Sequence, residues 1–342
     1  MPPRAPRFRV AGSTTDNPGG LDLAEHRARR CRMLRPLLLG VFLGASLASA
    51  QSPTPSARLR PQYDEQYVLG PDSQPRPGVP EGKVMEFTLD DSKTYPGFRR
   101  QWWLYIPPGY DGKKPLPVMV FQDGAGYVNR TGAWRVPVVL ENLMARKELP
   151  MLAAIFVNPG DSPLAPGEPP RKRADGRPAA ARNRSVEYDT VSGAYARFLL
   201  DEIFPLARKH IVITDDPAGR GICGSSSGGI CAFSVAWHRP DQFRKVYTTI
   251  GSFTNIRGGN VFPDLVRANP PKPIRVIQQD GARDLLNQFG SWPEGNRQMA
   301  SALQSKGYDH QFIFGEGTHN SAHGASILPY ALRWLWYDYP LD

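Results

Sequence analysis

The chain has 342 residues, 40% of them hydrophobic and 22% charged, a composition that places it among soluble globular proteins with room for one large or two medium domains. Its formal charge of +10 is unevenly spread: eight arginines and three acidic residues lie before residue 51, and the 34 basic and 29 acidic residues that follow leave a surplus of +5. So mild a surplus is no nucleic-acid footprint, and nucleic acid is set aside as a partner.

In chain order, Arg27, Arg29, Arg30, Arg32 and Arg35 precede an apolar run from Leu37 to Leu47, which ends in Ala48-Ser49-Ala50. A charged start, an apolar core and an A-x-A site make a secretory signal peptide, with cleavage expected after Ala50 and Met33 as the expected true start. The run is too short to span a bilayer, and no lipoprotein-type cysteine marks the cleavage point. A secreted or periplasmic protein without a stable membrane anchor is therefore expected. Residues 1–50 are thus an extension plus signal peptide. Residues 51–81, rich in Pro, Ser and Gln, read as a linker or loosely packed arm, and 82–342 as the functional domain.

Strands are expected at Lys83–Leu89, Arg99–Ile106, Leu116–Phe121, Leu152–Val157, Gly221–Cys223, Val246–Ile250, Ile274–Gln278 and Gln311–Phe314. Helical spacing covers Trp134–Lys147, Ser185–Lys209, Ile230–Trp237, Glu294–Lys306 and Ile327–Tyr337. Alternating strands and helices predict an α/β domain whose mostly parallel central sheet is covered by helices on both faces. A stretch from Asn158 to Asn183 carries Arg171, Lys172, Arg173, Arg177 and Arg182, a basic loop that could cover a site and draw in an acidic substrate.

Gly224-Ser225-Ser226-Ser227-Gly228 is a G-x-S-x-G pattern between the apolar strand ending at Cys223 and the helix beginning near Ile230. A serine on so sharp a turn needs neighbours without side chains, and Ser226 has glycine two positions away on both sides. The turn exposes the Ser226 hydroxyl and sets the Ser227 amide at a helix N-terminus, where it can face a developing oxyanion. In open sheets of this kind, sites form at the carboxyl ends of the strands. After Phe121 comes Gln122-Asp123-Gly124-Ala125-Gly126, whose Ala125 amide is the expected second oxyanion donor. After Gln278, Asp280 and Asp284 are candidate acids; after Phe314, His319 and His323 are candidate bases. Serine, acid and histidine occur in the chain order of the nucleophile-elbow hydrolases. Cys223 and Cys231 flank the turn and read as small buried hydrophobes rather than a disulfide. No metal-ligand cysteine pattern is present, and no cofactor is called for.

With these motifs, the chain from about Gly82 to Pro340 resembles the putative-esterase (esterase D) branch of the α/β-hydrolases, most of all its enterochelin-esterase-like and feruloyl-esterase-like members. The segments Arg184-Ser185-Val186-Glu187-Tyr188-Asp189 and Ala331-Leu332-Arg333-Trp334-Leu335-Trp336 are similar to that group as well. The resemblance implies a Ser-His-Asp hydrolase of a small-molecule or carbohydrate ester, with the acid in a G-x-x-D turn, which selects Asp284. It also implies a histidine after a glycine pair; here Gly317-Thr318-His319 has threonine for the second glycine, and His323 stays open as the alternative base. Acyltransferases share the fold, and a non-catalytic polysaccharide-binding module is a further alternative.

Overall fold

A computed structural model of the chain describes residues 61–161 and 183–341. The segment read as a signal peptide and the arginines and lysine of the basic loop between Asn158 and Asn183 lie outside the described residues.

The strands are β1 (Lys83–Leu89), β2 (Arg100–Ile106), β3 (Val118–Gln122), β4 (Ala153–Val157), β5 (Arg220–Ser225), β6 (Lys245–Thr249), β7 (Arg275–Arg283), a short hairpin of β8 (Leu286–Asn287) and β9 (Gly290–Ser291), and β10 (Asp309–Thr318). Eight of them form one sheet in the order β1-β2-β4-β3-β5-β6-β7-β10. β1 and β2 pair antiparallel, as do β2 and β4, and every later pairing in that sheet is parallel. The helices are α1 (Gly124–Val128), α2 (Val136–Ala145), α3 (Arg184–Asp189), α4 (Ala194–Phe198), α5 (Phe204–Ala207), α6 (Ser227–His238), α7 (Phe262–Ala268), α8 (Trp292–Ser305), α9 (Ala322–Ser326) and α10 (Leu328–Trp336).

Side chains alternate across a pleated strand, and a sheet covered on both faces must be apolar on both. β3 shows this directly: Val118 and Val120 pack into a core with α4, α5 and α6, while Met119 and Phe121 pack into a second core with α2 and α10. The result is the expected α/β-hydrolase fold. Among the described residues no helix is long and apolar enough to cross a membrane.

Three expectations need correction. The continuous helix over Ser185–Lys209 is broken: Thr190 is extended, with its hydroxyl donating to Val186 O at 2.6 Å, and the chain restarts at α4. Farther on, Pro205 has no N–H to give, and the Phe204 N–H reaches Leu199 O in a π-turn over Leu199–Ile203. β7 and β10 run five and four residues past their expected ends, so Asp280, Asp284 and His319 sit on or just beyond strands, while His323 lies in α9. Finally, the described part of the Pro-rich stretch, 61–81, is docked. Asn142 Nδ2 donates to Asp72 O and Gln74 O, and Arg146 and Arg333 both pair with the Asp72 carboxylate.

Candidate active site

Parallel strands β3, β5, β6 and β7 all point their carboxyl ends to one edge, and the candidate residues gather there. Ser226 lies between β5 and α6 with φ 58° and ψ −122°, a conformation that L-residues rarely adopt. Backbone bonds hold it: its N–H donates to Thr249 O at 2.9 Å, and its carbonyl accepts the Ser252 N–H at 3.1 Å as well as the Gly229 and Ile230 N–H groups of the helix start. The turn has no room for a side chain at Gly224, where a Cβ would lie 2.2 Å from Gly228 O.

The neighbouring serines differ from Ser226 in what they hold. Ser225 Oγ is engaged by Tyr127 Oη at 2.8 Å and Thr249 Oγ1 at 2.6 Å. Ser227 is the first residue of α6, so its N–H has no intrahelical acceptor and points out of the helix start. Ser226 Oγ alone meets a histidine, His319 Nε2 at 2.8 Å, and His319 Nδ1 in turn lies 2.5 Å from Asp284 Oδ1. Asp284 is fully buried and also accepts the Leu285 N–H. Around this row, Ser252 Oγ stands 3.4 Å from Ser226 Oγ and accepts from Trp292 Nε1, while the Trp292 ring meets the His319 ring edge-on.

The alternative residues are placed elsewhere. His323 is buried, its ring stacked on Tyr67 at 4.0 Å and its Nδ1 3.0 Å from Gln279 Nε2, contacts that do not involve the serine; burial pushes its imidazole down to about 4. Asp280, wholly buried, is pushed up to about 10 by burial and then by the adjacent Asp284 carboxyl. Both Asp280 oxygens and Asp284 Oδ2 lack another donor among the described residues, so a proton held on Asp280 can be shared between the two carboxyls.

The expected second oxyanion donor needs a qualification that sequence could not supply. The Ala125 N–H donates to Asn158 Oδ1 at 3.0 Å, so Asn158 must yield it before it can serve a substrate oxygen. Beside it, Asp123 sits in the left-handed region and forms a two-point ion pair with Arg184 Nε and Nη2, both at 2.7 Å; Arg184 also reaches Ser225 O. Sequence reasoning missed Asn158, Ser252 and Trp292 as neighbours, since nothing in their local pattern marks them. Cys223 and Cys231 are both free and buried, as expected. Among the described residues no group of three or more His, Cys, Asp or Glu is placed to hold a metal ion.

A family model described as "Putative esterase" matches residues 94–323, more than half of the chain. The iron(III) enterobactin esterase of Dickeya dadantii is 25% identical over 322 residues, covering 89% of this chain and 65% of that protein. The endo-1,4-beta-xylanase/feruloyl esterase of Xylanibacter ruminicola is 23% identical over 252 residues, 71% of this chain and 30% of its own length. In structure, the enterobactin esterase of Shigella flexneri superposes with a TM-score of 0.59 at 19% identity, over 78% of this chain and 62% of that one. A ferulic acid esterase from Anaeromyces mucronatus gives 0.58 at 17% identity, over 78% and 97%. The two structural likenesses speak to the fold; the chain spans less than two thirds of the length of either enterobactin esterase.

Proposed function

We propose that this chain, which belongs to the putative esterase family, is an exported serine hydrolase that cleaves a carboxylic ester through Ser226, His319 and Asp284. The observation that carries this reading is the unbroken row Asp284 Oδ1, His319 Nδ1, His319 Nε2, Ser226 Oγ, with its 2.5 and 2.8 Å links, ending on a serine at φ 58°.

The chemistry follows from the order of donors. Asp284 accepts from His319 Nδ1–H, which fixes the tautomer and leaves Nε2 with its lone pair toward Ser226 Oγ. His319 takes the hydroxyl proton as Ser226 Oγ bonds to the ester carbonyl carbon, and the carbonyl oxygen becomes an oxyanion. The Ser227 N–H faces that charge, joined by the Ala125 N–H once Asn158 releases it. His319 then gives its proton to the departing alcohol, an acyl-enzyme remains on Ser226, and water repeats the sequence in reverse. Removing one oxyanion donor from such a site costs on the order of 10² to 10³ in rate.

The substrate is proposed to be a small-molecule or carbohydrate ester, and the enterobactin and feruloyl esterases among the relatives support siderophore and feruloyl esters as the first classes to try. Export is proposed from the arginines and apolar run before Ala50. A panel of aryl esters, feruloylated and acetylated sugars and catecholate siderophore esters, run on wild type and Ser226→Ala side by side, tests the reading. Serine-dependent turnover of at least one class is expected; equal rates in both proteins would sink it.

A further inference from the structure

His319 is carried on an awkward piece of backbone. β10 is an edge strand of the sheet, paired among the described residues only with β7, and its register shifts between Gly315 and Thr318, immediately before the histidine. Amide groups there have lost regular ladder partners and must find others. They find them in the segment that precedes the first strand. The Glu316 N–H donates to Tyr67 Oη at 2.9 Å, and the Thr318 N–H donates to Asp64 Oδ1 at 2.9 Å. Thr318 Oγ1 also donates to Asp64 Oδ2 at 2.5 Å while accepting from Asn320 Nδ2 at 2.9 Å.

The same short segment reaches the acid's strand. Arg283, next to Asp284, lies over the Tyr63 ring with its guanidinium carbon 4.5 Å from the centroid, and its Nε is 3.7 Å from the Glu316 carboxylate. The Tyr67 ring completes the lock by stacking on His323, four residues after His319. The fit is close: a Cβ at Gly315 would fall 2.2 Å from Tyr67 Oη. Thr318 is the residue that stands where the resemblance implies a second glycine, and its hydroxyl is the extra handle that the Asp64 carboxylate grips.

From this geometry we infer that Asp64 and Tyr67 form a strap that positions His319 for proton transfer, a role that rests on the hydrolase reading above. They touch no substrate; they act through Thr318, Glu316 and His323 on the placement of the imidazole. Catalysis is sensitive to such placement, since a shift of about 1 Å can cost on the order of 10² in rate.

The test uses the mature protein with Asp64→Asn, Tyr67→Phe, Thr318→Val and the double variant Asp64→Asn/Thr318→Val. Asp64→Asn keeps an oxygen for the Thr318 N–H and loses the acceptor for its hydroxyl; Tyr67→Phe keeps the ring stack and loses one acceptor, so both folds should survive. A positioning role predicts that kcat falls about tenfold while KM stays within about twofold, because the contact matters in the transition state and not in substrate binding. Phosphonylation of Ser226 by a fluorophosphonate should slow in parallel, and the double variant should be no worse than the poorer single one, as expected of two residues joined by one bond. Wild-type kcat in both Asp64→Asn and Tyr67→Phe, with or without a lower Tm, would overturn the strap and leave the hydrolase reading standing. A wild-type protein inert to both esters and probe would instead overturn the hydrolase reading.

Discussion

Ser225, Ser226 and Ser227 are consecutive, and what separates them is the partner each hydroxyl already has. Tyr127 and Thr249 occupy Ser225, whereas Ser226 is held by backbone bonds alone and offers its Oγ to His319. The choice of Ser226 was legible from its flanking glycines; the order of motifs narrowed the acid to Asp280 or Asp284 and the base to His319 or His323, and the resemblance favoured Asp284 while leaving His323 open. The neutral Asp280 behind Asp284 was not, because a shared proton depends on two carboxyls meeting in a buried place. Replacing Ser226 or His319 by Ala should lower kcat by at least about 10⁴-fold with Tm little changed, and Asp284→Asn should cost about 10⁴ through a lost tautomer. Asp280→Asn makes a separate prediction. In the folded protein Asp280 stays protonated up to about pH 10, while in the unfolded chain it ionises near 3.9, so wild-type stability declines as pH rises between those values. An amide can donate to Asp284 Oδ2 as the protonated acid does and never ionises. The variant should therefore gain Tm over wild type toward alkaline pH, the gap closing toward pH 4; a gap of constant size across that range would contradict a protonated Asp280.

At the scale of elements, the turn from β5 into α6 is the piece most completely written in the sequence, since strand, glycines and helix follow in fixed order. The close approach of Gly224 to the Gly228 carbonyl makes it intolerant of any side chain. Gly224→Ala should cost on the order of 2–4 kcal/mol of stability and most of the activity, read by denaturant unfolding and ester turnover. Wild-type stability in that variant would mean the turn is looser than the structure has it. Other elements were less legible for stated reasons. The break after α3 goes with an extended Thr190 whose hydroxyl turns back on Val186 O, and the π-turn farther on with Pro205 withholding an N–H, effects that apolar periodicity does not register. The added lengths of β7 and β10 are mostly polar or glycine residues, and they pair with each other across the ladder, Gly281 beside Gly315 and Arg283 beside Thr318.

Across the whole molecule, the mostly parallel sheet covered on both faces was readable from the alternation of strands and helices and from apolar runs such as those of β3 and β4; the order of the strands was not. The docking of residues 61–81 was not readable either, because it rests on hydrogen bonds accepted by the side chains of Asp64, Tyr67 and Asp72 that leave no hydrophobic period behind. Their placement bears on where the mature chain begins. A signal cut after Ala50 leaves a start at Gln51, upstream of every residue of the strap. N-terminal sequencing of the exported protein should begin at Gln51 or within a few residues; a start beyond Asp64 would remove the strap and contradict its role.

The central claim is that Ser226 is the nucleophile. The direct measurement is peptide mapping of the mature protein after treatment with a fluorophosphonate. One phosphonyl adduct per chain, on Ser226, is predicted, its formation abolished by Ser226→Ala and strongly slowed by His319→Ala. A folded protein that takes up no label, or carries it on Ser225 or Ser227, would contradict the account.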